Sequence, residues 1–270
     1  MTFLKNSKLM PLQGTVSFGE MVACGLVGSD AEIVHKMGYN ASITGTTQED
    51  VWAQGGTFAF PLVATYPGAK MEVVSTDNAA DIAAGTGVQQ VKIEYLTAAG
   101  DQKSETVTMT GTTAAETVAT DIWRINSFRA ARVGTGGVAV GTITLQELDN
   151  APVFSSIAIG QTRARNMAYT VPAGKALVIK EIQIASAAAS IDKSFLKFTL
   201  RGNLNEGVKT ATGFDFPLWE GVVAGTGWQV ILSEPIYVPA AVDLRMVAIG
   251  NSASDAASAT CEWRGCLISV

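Results

Sequence analysis

One imidazole, three thiols and a scatter of carboxylates are the groups from which any catalysis by this chain would have to be built. His35 is the single histidine and lies between Val34 and Lys36. A serine or cysteine nucleophile needs a base of this kind beside it, and no GxSxG elbow occurs to present one. Cys24, Cys261 and Cys266 form no CxxC pair and cannot all be joined, so they read as buried, small apolar thiols rather than a disulfide framework or a zinc site. Asp77, Asn78 and Asp81 could converge on Ca²⁺ if their loop folds back, but they lack the alternating oxygen ligands and fixed glycine of an EF-hand. Gly134-Thr135-Gly136-Gly137 has neither the spacing nor the strand-to-helix setting of a phosphate-cradling loop, and reads as a turn. A glycosidase pair needs two carboxylates facing across a cleft, whereas Asp and Glu here fall in turns or alternate outward on strands. The residues assign no catalytic group, no cofactor and no metal, and the chain reads as not an enzyme.

The remaining groups with binding potential are aromatic. Trp52, Trp219 and Trp263 are the candidate packing anchors, placed either in a core or in an interface between subunits. Together with Trp123 and Trp228 they could instead line a sugar platform, which is the basis of a rival reading as a carbohydrate-binding or receptor-recognition module.

Composition favours assembly over chemistry. Charged residues make up 16% of the 270, below the roughly 25% of ordinary soluble domains. Apolar residues make up 47%, and mean hydropathy is +0.24. A surface so poor in charge suits a subunit that hides much of it against neighbours. The net charge of −5 and singly scattered lysines and arginines give no footprint for nucleic acid. Arg124, Arg129 and Arg132 come nearest, but offsets of five and three do not put all of them on one face of a strand. No apolar run is long enough to cross a bilayer, and residues 5–14 are too short for an export signal. Synthesis in a cytoplasm followed by assembly is the expectation.

The elements that must carry these residues are strands. Short Val/Ile/Thr/Ala runs are cut by Gly, Pro, Asn and Asp, and the chain length suits one large β-domain or two sandwiches of roughly 100 to 130 residues each. From Val88 to Thr110 the pattern is a β-hairpin: Val91, Ile93 and Tyr95 alternate with polar residues, residues 97–101 turn the chain, and Val107 and Met109 alternate on the return. A strand over 122–133 leads to the glycine turn, 141–148 closes the unit, and Asp149 to Pro152 reads as a linker. Further strands follow at 167–171, 177–185, 195–200, 228–232 and 242–246, with Asp243 and Arg245 on one face. Residues 185–191 read as a loop or single turn, being too short to hold a helix. The apolar stretch 261–270 places the C-terminal strand in a sheet or an interface. Residues 84–89 and 224–229 echo one another in sequence, each leading into a strand. The expected fold is all-β, with two β-sandwich (jelly-roll-like) units: 1–36 an N-terminal arm or first strand pair, 37–150 the first sandwich, 151–270 the second.

Lys36-Met37-Gly38-Tyr39-Asn40, then Thr47, Glu49, Val51-Trp52 and Gly55-Gly56, form a pattern similar to one in structural proteins of tailed bacteriophage virions. Downstream, Val73, Ser75, Asp77, Asp81, Ala84-Gly85-Thr86-Gly87, Val91-Lys92-Ile93, Glu105-Thr106-Val107 and Gly111-Thr112 keep the same order. Residues 134–143, 169–175 and 235–239 extend the likeness through most of the chain. The resemblance implies a virion component made in the host cytoplasm. Within that class the reading is a capsid decoration or cement protein, trimeric, binding the major capsid protein or other virion proteins, with no direct contact to nucleic acid or membrane. A neck or tail component such as an adaptor, nozzle or fibre base is the alternative within the virion.

Overall fold

Alternation of buried and half-exposed residues builds the strands of this computed structural model, which describes Val22 and residues 31–45, 47–58, 60, 68–148, 151–188, 195–204, 216–224, 228–251 and 256–270. In β4 (Val88–Leu96), Val91, Ile93 and Tyr95 are buried while Gln90, Lys92 and Glu94 are half exposed. It pairs with β5 (Gln102–Thr108) as the hairpin read from the sequence; Thr97 N donates to Asp101 O, and Gly100 takes the left-handed conformation (φ 84°) that closes the turn. β7 (Arg124–Val133) lies on the other edge of β4. A second sheet runs β6 (Ala115–Glu116), β3 (Met71–Ser75), β8 (Ile143–Glu147), β9 (Ala151–Ile157). Met71, Val73, Ile93, Phe128, Ile143 and Phe154 form the core between these two sheets.

The end of this sandwich is tied by one buried carboxylate. Asp81 is fully buried; Oδ1 accepts from Val88 N (2.8 Å) and Val140 N (3.2 Å), and Oδ2 accepts from Ser75 Oγ (2.8 Å) and Gly141 N (2.8 Å). It therefore joins the end of β3, the start of β4 and the approach to β8. The neighbouring glycines are close-approach residues: a Cβ on Gly87 would stand 2.2 Å from Asp81 Oδ1. Gly134 N and Gly136 N donate to Gly87 O and Thr86 O, so the Gly134–Gly137 turn packs on the 84–87 loop. This gives both glycine motifs a packing role. In the echoed segment, residues 225–227 lie outside the described residues.

The other sandwich has one sheet ordered β1 (Ala31–Ile43), β16 (Ala257–Ser269), β11 (Lys175–Ala188), β14 (Trp228–Val238). In the facing sheet, β15 (Val242–Gly250) is followed by β12 (Leu196–Leu204) and β13 (Phe216–Val223). On the free side of β15 sit two short pieces, β2 (Glu49–Asp50) and β10 (Tyr169–Thr170). These pieces are collinear. Glu49 and Asp50 pair with Ala248 and Val247, Val51 N donates to Met246 O, and Tyr169 and Thr170 continue the line opposite Leu244 and Asp243. Counted as one strand, they complete the two-sheet, eight-strand, double Greek-key order of a jelly roll. The β3–β9 sandwich is thus inserted within the second strand of the jelly roll, and an antiparallel bridge between Trp52 and Asn166 joins its two ends.

The all-β expectation stands, but the expected breaks do not follow the sheets. A boundary at 36/37 falls inside β1, and one at 150/151 separates β8 from its partner β9. Residues 31–51 return to pair with the C-terminal half, a contact too distant in sequence for periodicity to report. Ala151 and Pro152, read as linker, begin edge strand β9, a position where the missing proline N–H is tolerated. Ala185 to Ala188, read as loop or turn, extend β11 against β16; pairing overrides the helix propensity of alanine. The last strand, β16, is held between β1 and β11, and Val270 N donates to Gly174 O. Of the N-terminal arm, residues 1–21 and 23–30 lie outside the described residues.

Asp81→Ala leaves two buried backbone N–H donors, of Val88 and Gly141, and the half-buried one of Val140 without their acceptor, so it should destabilise the fold by about 3 kcal/mol, read from the urea unfolding midpoint.

Candidate functional site

The functional candidates read from the sequence are mostly consumed by packing. Trp263 is fully buried in the jelly-roll core, its ring edge-to-face with Tyr169 at 5.5 Å, and has no surface left to offer a neighbour. Trp52 is 6% exposed, donates Nε1–H to Gly55 O (2.7 Å), and begins an edge-to-face stack through Phe58 to Phe60. Trp219, on β13, is half-buried against the same core as Trp263. Trp123 is buried as well, so Trp52, Trp123, Trp219 and Trp263 do not gather into an exposed platform. His35 lies 3.3 Å from Glu262 across the β1–β16 pair. Cys261 and Cys266 are buried free thiols, and burial pushes the Cys261 thiol well above its ordinary value; Cys24 lies outside the described residues. Asp77 accepts from Ala79 N and Ala80 N, which hold its carboxyl below the usual range, and Asp81 is engaged as described.

The chemistry concentrates where the two sandwiches meet. Arg124, at the start of β7, reaches into the jelly roll: Nε donates to Asp243 Oδ2 (3.2 Å) and Oδ1 (3.3 Å), both side chains being almost wholly buried. Its guanidinium stacks over the Trp123 ring (3.9 Å to the centroid) and lies 5.3 Å from that of Phe60. Asp243 Oδ1 also accepts from Thr170 Oγ1 (2.5 Å). Burial lowers Arg124 from its ordinary value, with Asp243 opposing the shift. Two residues on, Asn126 brackets Thr170: Nδ2 donates to Thr170 O and Oδ1 accepts from Thr170 N, each at 2.8 Å. The backbone carbonyl of Asn126 then accepts from Lys36 Nζ (2.8 Å). In this way β7 of the insert is bound to β1, β10 and β15 of the jelly roll.

Beside this junction is a cleft of about 240 Å³, walled by β1 on one side and by β4, β5, β7 and the segment leading to β10 on the other. Lys36 and Glu32 line it from the jelly roll; Glu94, Lys103, Arg129 and Arg163 line it from the insert. Burial depresses Lys36 to about 7, with Glu94 acting in the opposite direction. Burial acts to raise Glu94, but Lys92, Arg129 and Ser127 together hold it below the usual range.

Sequence reasoning noted the Arg124, Arg129 and Arg132 group but not its partners, and it missed Lys36 and Asn126. A signal for Lys36 was present. It shares the inward row of β1 with Val34, Gly38 and Asn40, and pairs with fully buried Trp263, so a cation stands in phase with a core-facing row.

Asp243→Ala should cost about 3 to 5 kcal/mol by leaving Arg124 buried without its counter-charge, whereas the double change Arg124→Met, Asp243→Leu should recover most of that loss in chemical denaturation. For Lys36, folding lowers the pKa. The unfolded chain therefore binds more protons between about pH 7 and the free lysine value, and stability rises with pH across that window. The melting temperature of the protein relative to Lys36→Met should climb from pH 7 towards pH 10 and stay level below pH 7.

No protein-family model matches the chain, and no curated protein matches it. Among solved structures, it is similar to the VP2 subviral particle of infectious bursal disease virus, at 12% identity over 96% of this chain and 76% of that one, with a TM-score of 0.19. The T13 particle of the same virus gives 9% identity over 88% and 74% of the two chains, with a TM-score of 0.17. Its Gx strain gives 9% over 94% and 77%, with a TM-score of 0.19. Superpositions this loose do not establish a common fold, and the jelly-roll assignment stands on strand order alone.

Proposed function

We propose that this chain is a structural subunit of a virion, and specifically a decoration or cement protein on the head of a tailed bacteriophage. The observation that carries the reading is the nested architecture: a jelly roll closed by its first and last strands, with a second sandwich inserted into one strand and fixed to it by buried polar contacts. Jelly rolls serve capsids and lectins alike, so the fold by itself leaves function open. The phage-like motifs and the low charge weight it towards assembly. Exposed apolar side chains add support, notably Val118 and Ile159 on the insert and Val222 and Tyr237 on edge strands β13 and β14. Burial of such groups between subunits is a natural source of affinity.

The partners in this reading are the major capsid protein and further copies of the chain, arranged as a homotrimer. An arrangement of this kind bridges capsomers through rigid sheet surfaces and needs no moving part. It assigns no enzymatic step to the protein.

Quantitative mass spectrometry of purified virions tests the proposal. A copy number comparable to that of the major capsid protein is expected. A handful of copies per particle moves the protein to the neck, tail or fibre base and overturns the decoration role, and absence from virions overturns the structural reading as a whole.

A further inference from the structure

The cleft between the sandwiches has a charge arrangement that the fold does not require. Arg129 and Arg163 are directly opposite one another in an isolated antiparallel bridge. Ala130 N donates to Thr162 O and Ala164 N to Phe128 O, on either side of the bridge. This makes the arginines a non-hydrogen-bonded pair, the closer of the two cross-strand geometries, at about 4.5 Å between Cα atoms. Like charges in this position are destabilising unless something negative lies between them. Both side chains line the same cleft as Lys36, whose hydrogen-bond acceptor is the neutral carbonyl of Asn126.

Most other charged or titratable groups around the cleft are already matched. His35 faces Glu262, Lys103 donates to Asp121 (2.6 Å), and Glu94 accepts from Lys92 (2.8 Å) while lying 3.6 Å from Arg129. Glu32 is exposed on β1. Among the described residues, Lys36 and Arg163 have no carboxylate within ion-pair distance. Ser127, Gln102 and Asn166 line the cleft as neutral polar residues, the Ser127 hydroxyl already bonded to Glu94 and Asn166 Oδ1 accepting from Ala168 N (2.8 Å).

We propose that this cleft binds a small ligand bearing a carboxylate or phosphate group, held between Lys36 of the jelly roll and Arg129 and Arg163 of the insert, with its polar body on the neutral side chains. The volume suits a single acidic sugar or an organic phosphate. The inference is independent of the virion reading: it concerns what the cleft holds, whichever particle or cell the protein occupies. Because the ligand would contact both sandwiches, its binding would also brace their junction. An anion favours the charged form of Lys36, so above about pH 7 binding draws a proton from solution, and affinity falls as pH rises.

Isothermal titration calorimetry with inorganic phosphate, glucuronate and glucose, at about pH 6.5 and about pH 8.5, tests this on the full chain. At least one anion should bind and glucose should not; phosphate alone or glucuronate alone would identify the group recognised. Arg163→Gln, at an exposed position, should weaken that anion about tenfold, as expected for one lost charge-assisted hydrogen bond. At the higher pH the binding enthalpy should vary with the ionisation enthalpy of the buffer, and this dependence should vanish in Lys36→Met. Failure of both anions to saturate, glucose binding as well as glucuronate, or an Arg163→Gln protein that binds like the parent would each overturn the proposal.

Discussion

A buried charge needs a fixed partner, and the Arg124–Asp243 pair makes the relation between the two sandwiches depend on that rule. Removing two ions from water is costly, and the cost is offset only when geometry is good and the remaining donors and acceptors are satisfied. Here Thr170 supplies a further donor to Asp243, while Trp123 and Phe60 give the guanidinium aromatic faces. These groups come from four separated parts of the chain, so the pair forms only when the insert is seated on β10 and β15. Asn126 and Thr170 repeat the logic with neutral groups, using a reciprocal pair of hydrogen bonds that tolerates little displacement. The consequence is a junction that specifies one arrangement of two separate cores.

Within each core the logic is ordinary hydrophobic packing, with polar exceptions at the ends. Asp81 shows how a small sandwich can close without a long turn: one carboxylate gathers backbone donors from two approaching segments, and glycine at 87 leaves room for it. In the jelly roll, Pro235 lies in edge strand β14 where residues 232–235 bulge opposite Lys180 alone, so the missing amide breaks no regular ladder.

The sequence was legible wherever structure is local. The 88–110 hairpin follows from alternation of period two and a turn containing glycine, and the buried C-terminal strand follows from its apolar character. What could not be read is long-range. β10 falls within the strand read at 167–171, but the two-residue β2 carries no periodicity, and neither piece shows locally that it continues the other across an insertion. Asp243 and Arg245 were placed on one face, yet their partners, Arg124 and Asp50, come from different regions of the chain. Tryptophan identity alone did not separate core from contact surface, because a large aromatic serves equally in both; the fully buried position of Trp263 is set by sheet packing. The cleft was illegible for the same reason, since its cations approach only after β1 and β7 are brought side by side.

The collinearity of β2 and β10 also has a mechanical meaning. A body attached through two ends of one interrupted strand transmits a pull along that line to β15, across ladder hydrogen bonds that lie perpendicular to it. Force along the strand therefore loads these bonds together in shear and does not open them singly. The insert is a laterally braced projection, and its attachment is strongest against drag directed along the axis of the strand it divides.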